Sequence, residues 1–359
     1  MAGSYYNSIL RINNQTGTSY TLSIADFNSD TITIMDNASA NTVTVPPSVF
    51  PIGAQLLVAQ EGLGQTSFVA GAGVTINAIG LSISSRYKTV ILIQVALNEW
   101  DAYGTLDAAS SYTSRTTAFA TATAITDTTI LNALNTFDLG LISNGLDTKM
   151  KAIYPMVGGT STTHKYNFMD ARDVDAAFRL TFNGGVTHSS TGVLPSGING
   201  YANTHINAGT SLTINSVHYS FYSRTNTSGV FVELGNLFVA YSNHIRIAAN
   251  VTIDVPASVV VPFTTTTDSR GFWMGNKTSS TYRSAIRNGV TENFDNTNIS
   301  GALNPLDMFL LCRNDNGTAA YFTNRECAFS SFGSGLSDTE ATTFYTLVQN
   351  MQTTLARNV

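Results

Sequence analysis

The chain has 359 residues, enough for two or three domains, and 43% of them are hydrophobic, which excludes wholesale disorder. Charged residues make up only 11%, against roughly 25% in a typical soluble protein, and Thr, Ser, Asn, Ala and Gly take their place. Eighteen basic and 23 acidic residues give a net charge of −5 with no basic run, which argues against a nucleic acid or an anionic membrane surface as partner.

The start, Met1-Ala2-Gly3-Ser4-Tyr5, has neither a charged end nor an apolar stretch, so no signal peptide is expected. From there to residue 105 the chain alternates short apolar segments with turn formers. Ile9–Ile12, Tyr20–Ile24, Thr31–Met35, Thr42–Val45, Gln55–Ala59, Val74–Ile76 and Thr89–Val95 read as strands. Asn13-Asn14, Asn28-Ser29, Pro46-Pro47 and Gly62 to Gly64 read as the turns between them. Residues 1–105 are therefore expected to form a small β-sandwich or barrel. No apolar run, Val90–Leu97 included, is long enough to span a bilayer, so no membrane insertion is expected.

Residues 106–159 have another texture. Asp107 to Thr126 is rich in Ala, Ser and Thr and reads as a linker or an extended inter-subunit segment. Ile130, Leu131, Leu134, Phe137 and Leu141 then fall on one helical face, so the spacing predicts a helical connector over 129–141. Residues 160–359 are β-rich again. Expected strands include Ala177–Phe182, His218–Arg224, Val230–Val239, Ile245–Ala249, Ser258–Val261, Gly271–Gly275, Met308–Arg313 and Glu326–Gly333. A closing helix follows, with Ser337 and Glu340 at capping-box spacing and Phe344, Leu347, Val348, Met351 and Leu355 on one face. The fold class is all-β. Cys312 and Cys327 are too few for a disulfide framework and read as buried thiols.

Two sets of residues resemble known families. Thr42-Val43-Thr44-Val45-Pro46-Pro47, Pro51-Ile52-Gly53, Gly71-Ala72-Gly73-Val74-Thr75-Ile76 and Asn98-Glu99-Trp100 resemble a β module of tailed-bacteriophage tail and fibre proteins. Ala171-Arg172-Asp173-Val174-Asp175, Gly184-Gly185-Val186-Thr187-His188, Phe322-Thr323-Asn324-Arg325-Glu326-Cys327 and Gly335-Leu336-Ser337-Asp338 are similar to the concanavalin-like (laminin G-like) jelly roll that ends many phage structural proteins. The resemblance implies a virion structural subunit (fibre, spike or decoration) made in the host bacterial cytoplasm. It also implies a homo-oligomer, with three-fold symmetry preferred, in contact with other virion proteins and with host-surface polysaccharide as a further partner. A receptor-binding adhesin is the alternative. Glycoside hydrolases on that fold commonly carry Glu-x-Asp-x-x-Glu along a strand, and catalysis needs two carboxylates roughly 5 to 10 Å apart. None of Glu61, Glu99, Glu233, Glu292, Glu326 and Glu340 lies in such a pattern, so an enzyme is not expected. No cofactor is expected either. Asp170, Asp173 and Asp175 are the calcium candidates, set against Arg172 and Arg179 as ion-pair partners. His164, His188, His205, His218 and His244 show no metal-ligand spacing. Tyr222, Arg224, Trp273 and Tyr282 are the candidate glycan contacts, by aromatic and donor type.

Overall fold

The computed structural model describes residues 10–27, 30–83, 85–107, 112–247, 249–256, 260–264, 267–298 and 302–359. Ile9, the Asn28-Ser29 turn, residues 108–111 of the expected linker and half of the expected strand at 258–261 lie outside them. The chain is mostly β-strand and divides into two compact units, residues 1–111 and 112–359.

In the first unit the chain alternates between two sheets. One contains β1 (Arg11–Gln15), β3 (Thr31–Met35), β5 (Gln55–Gln60), β7 (Thr75–Asn77), β9 (Lys88–Ala96) and β10 (Glu99–Gly104). The other contains β2 (Ser19–Thr21), β4 (Asn41–Val45), β6 (Thr66–Ala70), β8 (Ser82–Ile83) and β11 (Leu106–Asp107). Because each crossover is a strand of the opposite sheet, neighbours such as β1, β3 and β5 run parallel. Met35, Val43, Val45, Leu56, Val58, Val90, Leu92 and Trp100 fill the space between the sheets. Gly64 is required by contact rather than flexibility: a Cβ there would lie 1.8 Å from the Ser39 carbonyl oxygen.

The second unit has three layers. The first sheet runs β14 (Val186–Ser189), β15 (Gly192–Pro195), β28 (Cys327–Gly333), β17 (Val217–Ser223), β22 (Gly271–Ser279), β23 (Tyr282–Arg287) and β24 (Val290–Asp295), with β12 (Met150–Tyr154) also on β28. The second runs β13 (Thr181–Asn183), β16 (Tyr201–Asn207), β25 (Asp307–Leu310), β18 (Leu234–Phe238), β19 (Tyr241–Arg246), β20 (Asn250–Pro256) and β21 (Val261–Pro262), with β26 (Arg313–Asp315) and β27 (Thr318–Ala320) beside β18. Tyr219, Phe221, Trp273 and Phe332 face Leu234, Ile245, Val251 and Leu310 across the interface. The opposite face of the first sheet, with Tyr222, Phe272, Met274 and Phe329, is covered by helices α1 (Ser114–Thr123), α2 (Thr128–Ser143) and α5 (Asp338–Thr354). Two one-turn helices, α3 (Ser161–His164) and α4 (Ala208–Ser211), lie in the loops.

The helices follow from their caps and apolar faces. Asp127 accepts hydrogen bonds from the Thr129 and Ile130 amides and starts α2. The Ser337/Glu340 box starts α5, and Lys149 binds the same Glu340 at 2.6 Å. The linker reading of 106–159 is corrected here. Residues from Tyr112 onward belong to the second unit, and 114–123 form a helix capped by Thr113. Phe119 supplies the reason, since it packs edge-on against Phe168 at 5.4 Å and is fully buried. Arg115 ties the helix to buried Asp138 of α2. A chain poor in large apolars can still be held by one ring and one ion pair. Cys312 and Cys327 are buried free thiols, with burial pushing both well above the usual thiol range.

Phe344 of α5 lies 6.0 Å from both the Phe272 and Phe329 rings and 6.3 Å from Phe137, joining two helices and the sheet. Phe344→Ala is expected to destabilise the full chain by about 3–5 kcal/mol in urea unfolding followed by circular dichroism. A loss below about 1 kcal/mol would show that the helical layer does not depend on this ring.

Candidate functional site

A ligand needs a face that the fold leaves open. The first sheet of the second unit is covered on both sides, whereas none of α1, α2 and α5 packs on the outer face of the second sheet. The strand register says which side chains lie there. Asn203, Phe309, Gly235, His244 and Thr252 stand abreast across β16, β25, β18, β19 and β20. Their sequence neighbours Ala202, Leu310, Leu234, Ile245 and Val251 point into the core.

On this outer face lies a groove of about 280 Å³, lined by Ser242, His244, Arg246, Asn250, Arg313 and Tyr321 among others. Ser242, His244 and Arg246 are alternate residues of one strand and so share a face. His244 sits directly against Gly235, where a Cβ would come within 2.4 Å of the His244 Cβ. The φ of Gly235, +149°, is also one that side chains rarely adopt, so only glycine admits the imidazole at this spot.

The hydrogen bonds fix the state of that imidazole. His244 Nε2 lies 3.3 Å from Asn250 Oδ1, which can only accept, so Nε2 carries the proton. Nδ1 then accepts from the Thr252 hydroxyl at 3.0 Å, and Thr252 Oγ1 in turn accepts from the Ser242 hydroxyl at 2.9 Å. Ser242 is left presenting oxygen lone pairs. Burial, aided by the charges of Arg313 and Arg246, lowers the His244 pKa to about 4, so the ring is neutral near pH 7. Arg313 lies over the Tyr321 ring at 4.4 Å and donates to Asp315 Oδ2 at 2.6 Å. Arg246 has no ion pair among the described residues.

The residues chosen from sequence lie elsewhere and are not brought together. Tyr222 is fully buried beneath α5, where its hydroxyl donates to Gln349 and accepts from the Val359 amide. Trp273 is fully buried on the opposite face of the same sheet, edge-on to Phe263 at 4.9 Å. Neither ring can stack on a sugar. Arg224 is engaged with Glu326 at 2.9 Å and with the Arg357 carbonyl. Tyr282 stacks on Phe294 at the sheet edge and donates to Asp338. The calcium candidates are held by cations instead. Asp170 is paired bidentately with Arg172, Asp173 with Lys165 and Arg179, and Asp175 with Arg179. These contacts hold all three carboxyls below their usual range. Among the described residues no group of three His, Cys, Asp or Glu could hold a metal ion. The groove itself was missed, although the alternation Ser242-x-His244-x-Arg246 was a usable signal.

No family model matches the chain, and no curated protein matches it. Several solved structures are similar in fold. Domain 4 of a GH43 extracellular arabinanase from Geobacillus stearothermophilus, solved with arabinotriose, is 12% identical, with 55% of this chain and 98% of that one covered and a TM-score of 0.38. The binding domain of botulinum neurotoxin serotype D is 10% identical, covering 56% of this chain and 52% of that one at a TM-score of 0.36. A mutant Trypanosoma rangeli sialidase displaying trans-sialidase activity is 9% identical, covering 84% and 46% at a TM-score of 0.38. These likenesses concern β-rich architecture and assign neither a ligand nor a reaction. They do remove one expectation. The sequence reading excluded an enzyme for want of a paired-carboxylate motif, and that exclusion falls because enzymes stand among the similar structures.

Burial holds His218 and His244 at about 4, against roughly 6.5 for the unfolded side chain. The unfolded chain therefore binds more protons between these values. Stability is complete above pH 6.5 and is lost as pH falls towards 4, by up to about 3 kcal/mol for each histidine. Urea midpoints measured from pH 7.5 to 4 are expected to fall across that window, and to fall less in His244→Gln. A flat profile would mean that these rings are not buried neutral.

Proposed function

We propose that the chain is a surface subunit of a tailed-bacteriophage particle whose second unit recognises carbohydrate through the outer-sheet groove. The observation that carries the carbohydrate reading is the groove's make-up. An exposed Tyr321 ring, guanidinium donors and the acceptor oxygen of Ser242 meet on a sheet face left open by the helical layer. Sugars are bound by such mixtures, an aromatic face for C–H surface and placed polar groups for hydroxyls. Tyr201 stacked on Phe309 at 4.9 Å extends the aromatic character along the same face.

Support for the particle assignment is in the sequence: the low charge, the phage-module motifs of residues 42–100 and the jelly-roll motifs of residues 171–340. The first unit adds a surface suited to assembly. Ile12, Ile32, Leu57, Ile91 and Tyr103 form one cross-strand row over five strands, and none of them belongs to that unit's core. Ile12 is 67% exposed and Tyr103 56%. An apolar row of this kind in a chain with so little charge fits packing against further subunits. The preferred state is a homotrimer, with the second unit turned towards the host surface.

An array of bacterial surface polysaccharides is expected to give binding that Tyr321→Ala weakens about tenfold, or ~1.4 kcal/mol. Signal no greater than buffer across the array would remove the carbohydrate reading. Light scattering is expected to give a mass near three times the 38.3 kDa of one chain. A monomer that persists at high concentration would remove the self-assembly reading and leave the groove untouched.

A further inference from the structure

The groove has a charge that neutral sugars do not require. Its lining holds two guanidinium groups, Arg246 and Arg313, and among the described residues the carboxylate that reaches either of them is Asp315, on Arg313. The remaining titratable side chain in the lining besides Tyr321 is His244, which is kept neutral. The site is thus locally positive on a chain whose net charge is −5. Arg313 is also short of acceptors. One of its terminal nitrogens bonds Asp315, while Nε is buried and has no partner among the described residues. Holding a guanidinium largely out of water without a full set of acceptors costs stability unless something else supplies them.

We infer that the groove takes an acidic saccharide, with the sugar carboxylate set between Arg246 and Arg313, the ring against Tyr321 and one hydroxyl donating to Ser242. The inference rests on the carbohydrate reading above. Each part has its own reason. A carboxylate on a sugar accepts charge-assisted hydrogen bonds from guanidinium groups. The relay from Ser242 through Thr252 to His244 uses the Ser242 proton, so this oxygen meets a donor, which a sugar hydroxyl is. The His244 ring is prevented from adding a third positive charge, and its hydrogen bonds hold Ser242 in place. The volume, about 280 Å³, lies near the lower end for ligand pockets and suits one sugar ring, with the rest of a chain running along the open sheet.

The test uses the full chain and an array of acidic bacterial capsular oligosaccharides, each printed beside its carboxyl-reduced counterpart, in which every uronate has become a neutral sugar. The acidic members are expected to bind at least tenfold more tightly than their reduced partners. That advantage is expected to shrink severalfold between 20 and 500 mM NaCl, because part of the attraction is screened. Arg246→Gln is the cleanest variant, since among the described residues Arg246 has no ion pair to lose. It is expected to melt like the parent while bringing the acidic and reduced members to similar affinity. Arg313→Lys keeps the charge and loses the fork, and is expected to fall between the two. Equal binding of acidic and reduced members, or an Arg246→Gln protein that still prefers the acid, would overturn the inference and leave the carbohydrate reading standing. No binding to any member of either set would overturn both.

Discussion

The pairing of β17 with β28 and β22 is the constraint on which the second unit depends. All seven residues of β17, Val217 to Ser223, are buried, and so are all seven of β28. A strand buried on one face alternates apolar and polar residues, but one buried on both does not. Tyr219 and Phe221 serve the core between the sheets, and Tyr222 serves the helical layer. The polar residues between them must then be satisfied within the protein. His218 bonds the Ser334 carbonyl and the Ser331 hydroxyl, and Ser220 bonds Ser331. With both faces of this sheet committed to packing, a ligand is left the outer face of the other sheet.

That constraint explains what could be read from the chain and what could not. The all-β class, the helix at 129–141 and the capped closing helix follow from short-range periodicity and spacing, and the structure has them at Thr128–Ser143 and Asp338–Thr354. The parity of β17 was also legible: Tyr219 and Phe221 do share one face, with Tyr222 and His218 on the other. What parity cannot say is whether a second layer covers each face. The layer over Tyr222 comes from α5, more than a hundred residues later, so choosing exposed aromatics by type placed Tyr222 and Trp273 at a surface they do not reach. The miss on β19 is more local. Placing the strand at 245–249 rather than Tyr241–Arg246 cut Ser242 and His244 away from Arg246, and with them the alternation that marks an outward polar face. The groove's other wall, Arg313 and Tyr321, arrives through the β18–β26 pairing, some eighty residues away in sequence.

The few charged residues of the second unit act largely as internal ties. Arg325 is almost fully buried and binds Glu233 at 2.6 Å, and Glu233 also accepts from Thr323 and from the Ile247 amide. Arg325 further donates to the Thr227 carbonyl, so one cation fastens three loops. Arg357 has no carboxylate partner among the described residues. It donates to the carbonyls of Pro155, Met156 and Ala328 and to the Gln352 side chain, fixing the end of the chain beside β12 and β28. Burial lowers its pKa to about 10, which still leaves it charged near pH 7. Such links are costly to break because the remaining partner would stay buried and unmatched.

Arg246 differs from both of these, since no hydrogen bond or ion pair of its side chain is found among the described residues. It lines a groove with a second guanidinium whose Nε has no partner among those residues either. Two like charges on one sheet face repel, and among the described residues of the lining no carboxylate stands between them. The described lining instead places neutral hydrogen-bonding groups there, Ser242 and Asn250, and holds the one imidazole neutral. Repulsion of this kind is relieved by an anion, which is the attraction that the proposed acidic saccharide would use. The same packing that closed the central sheet to ligands thus leaves the outer sheet with a polar, positively charged groove in which the helical layer has no part.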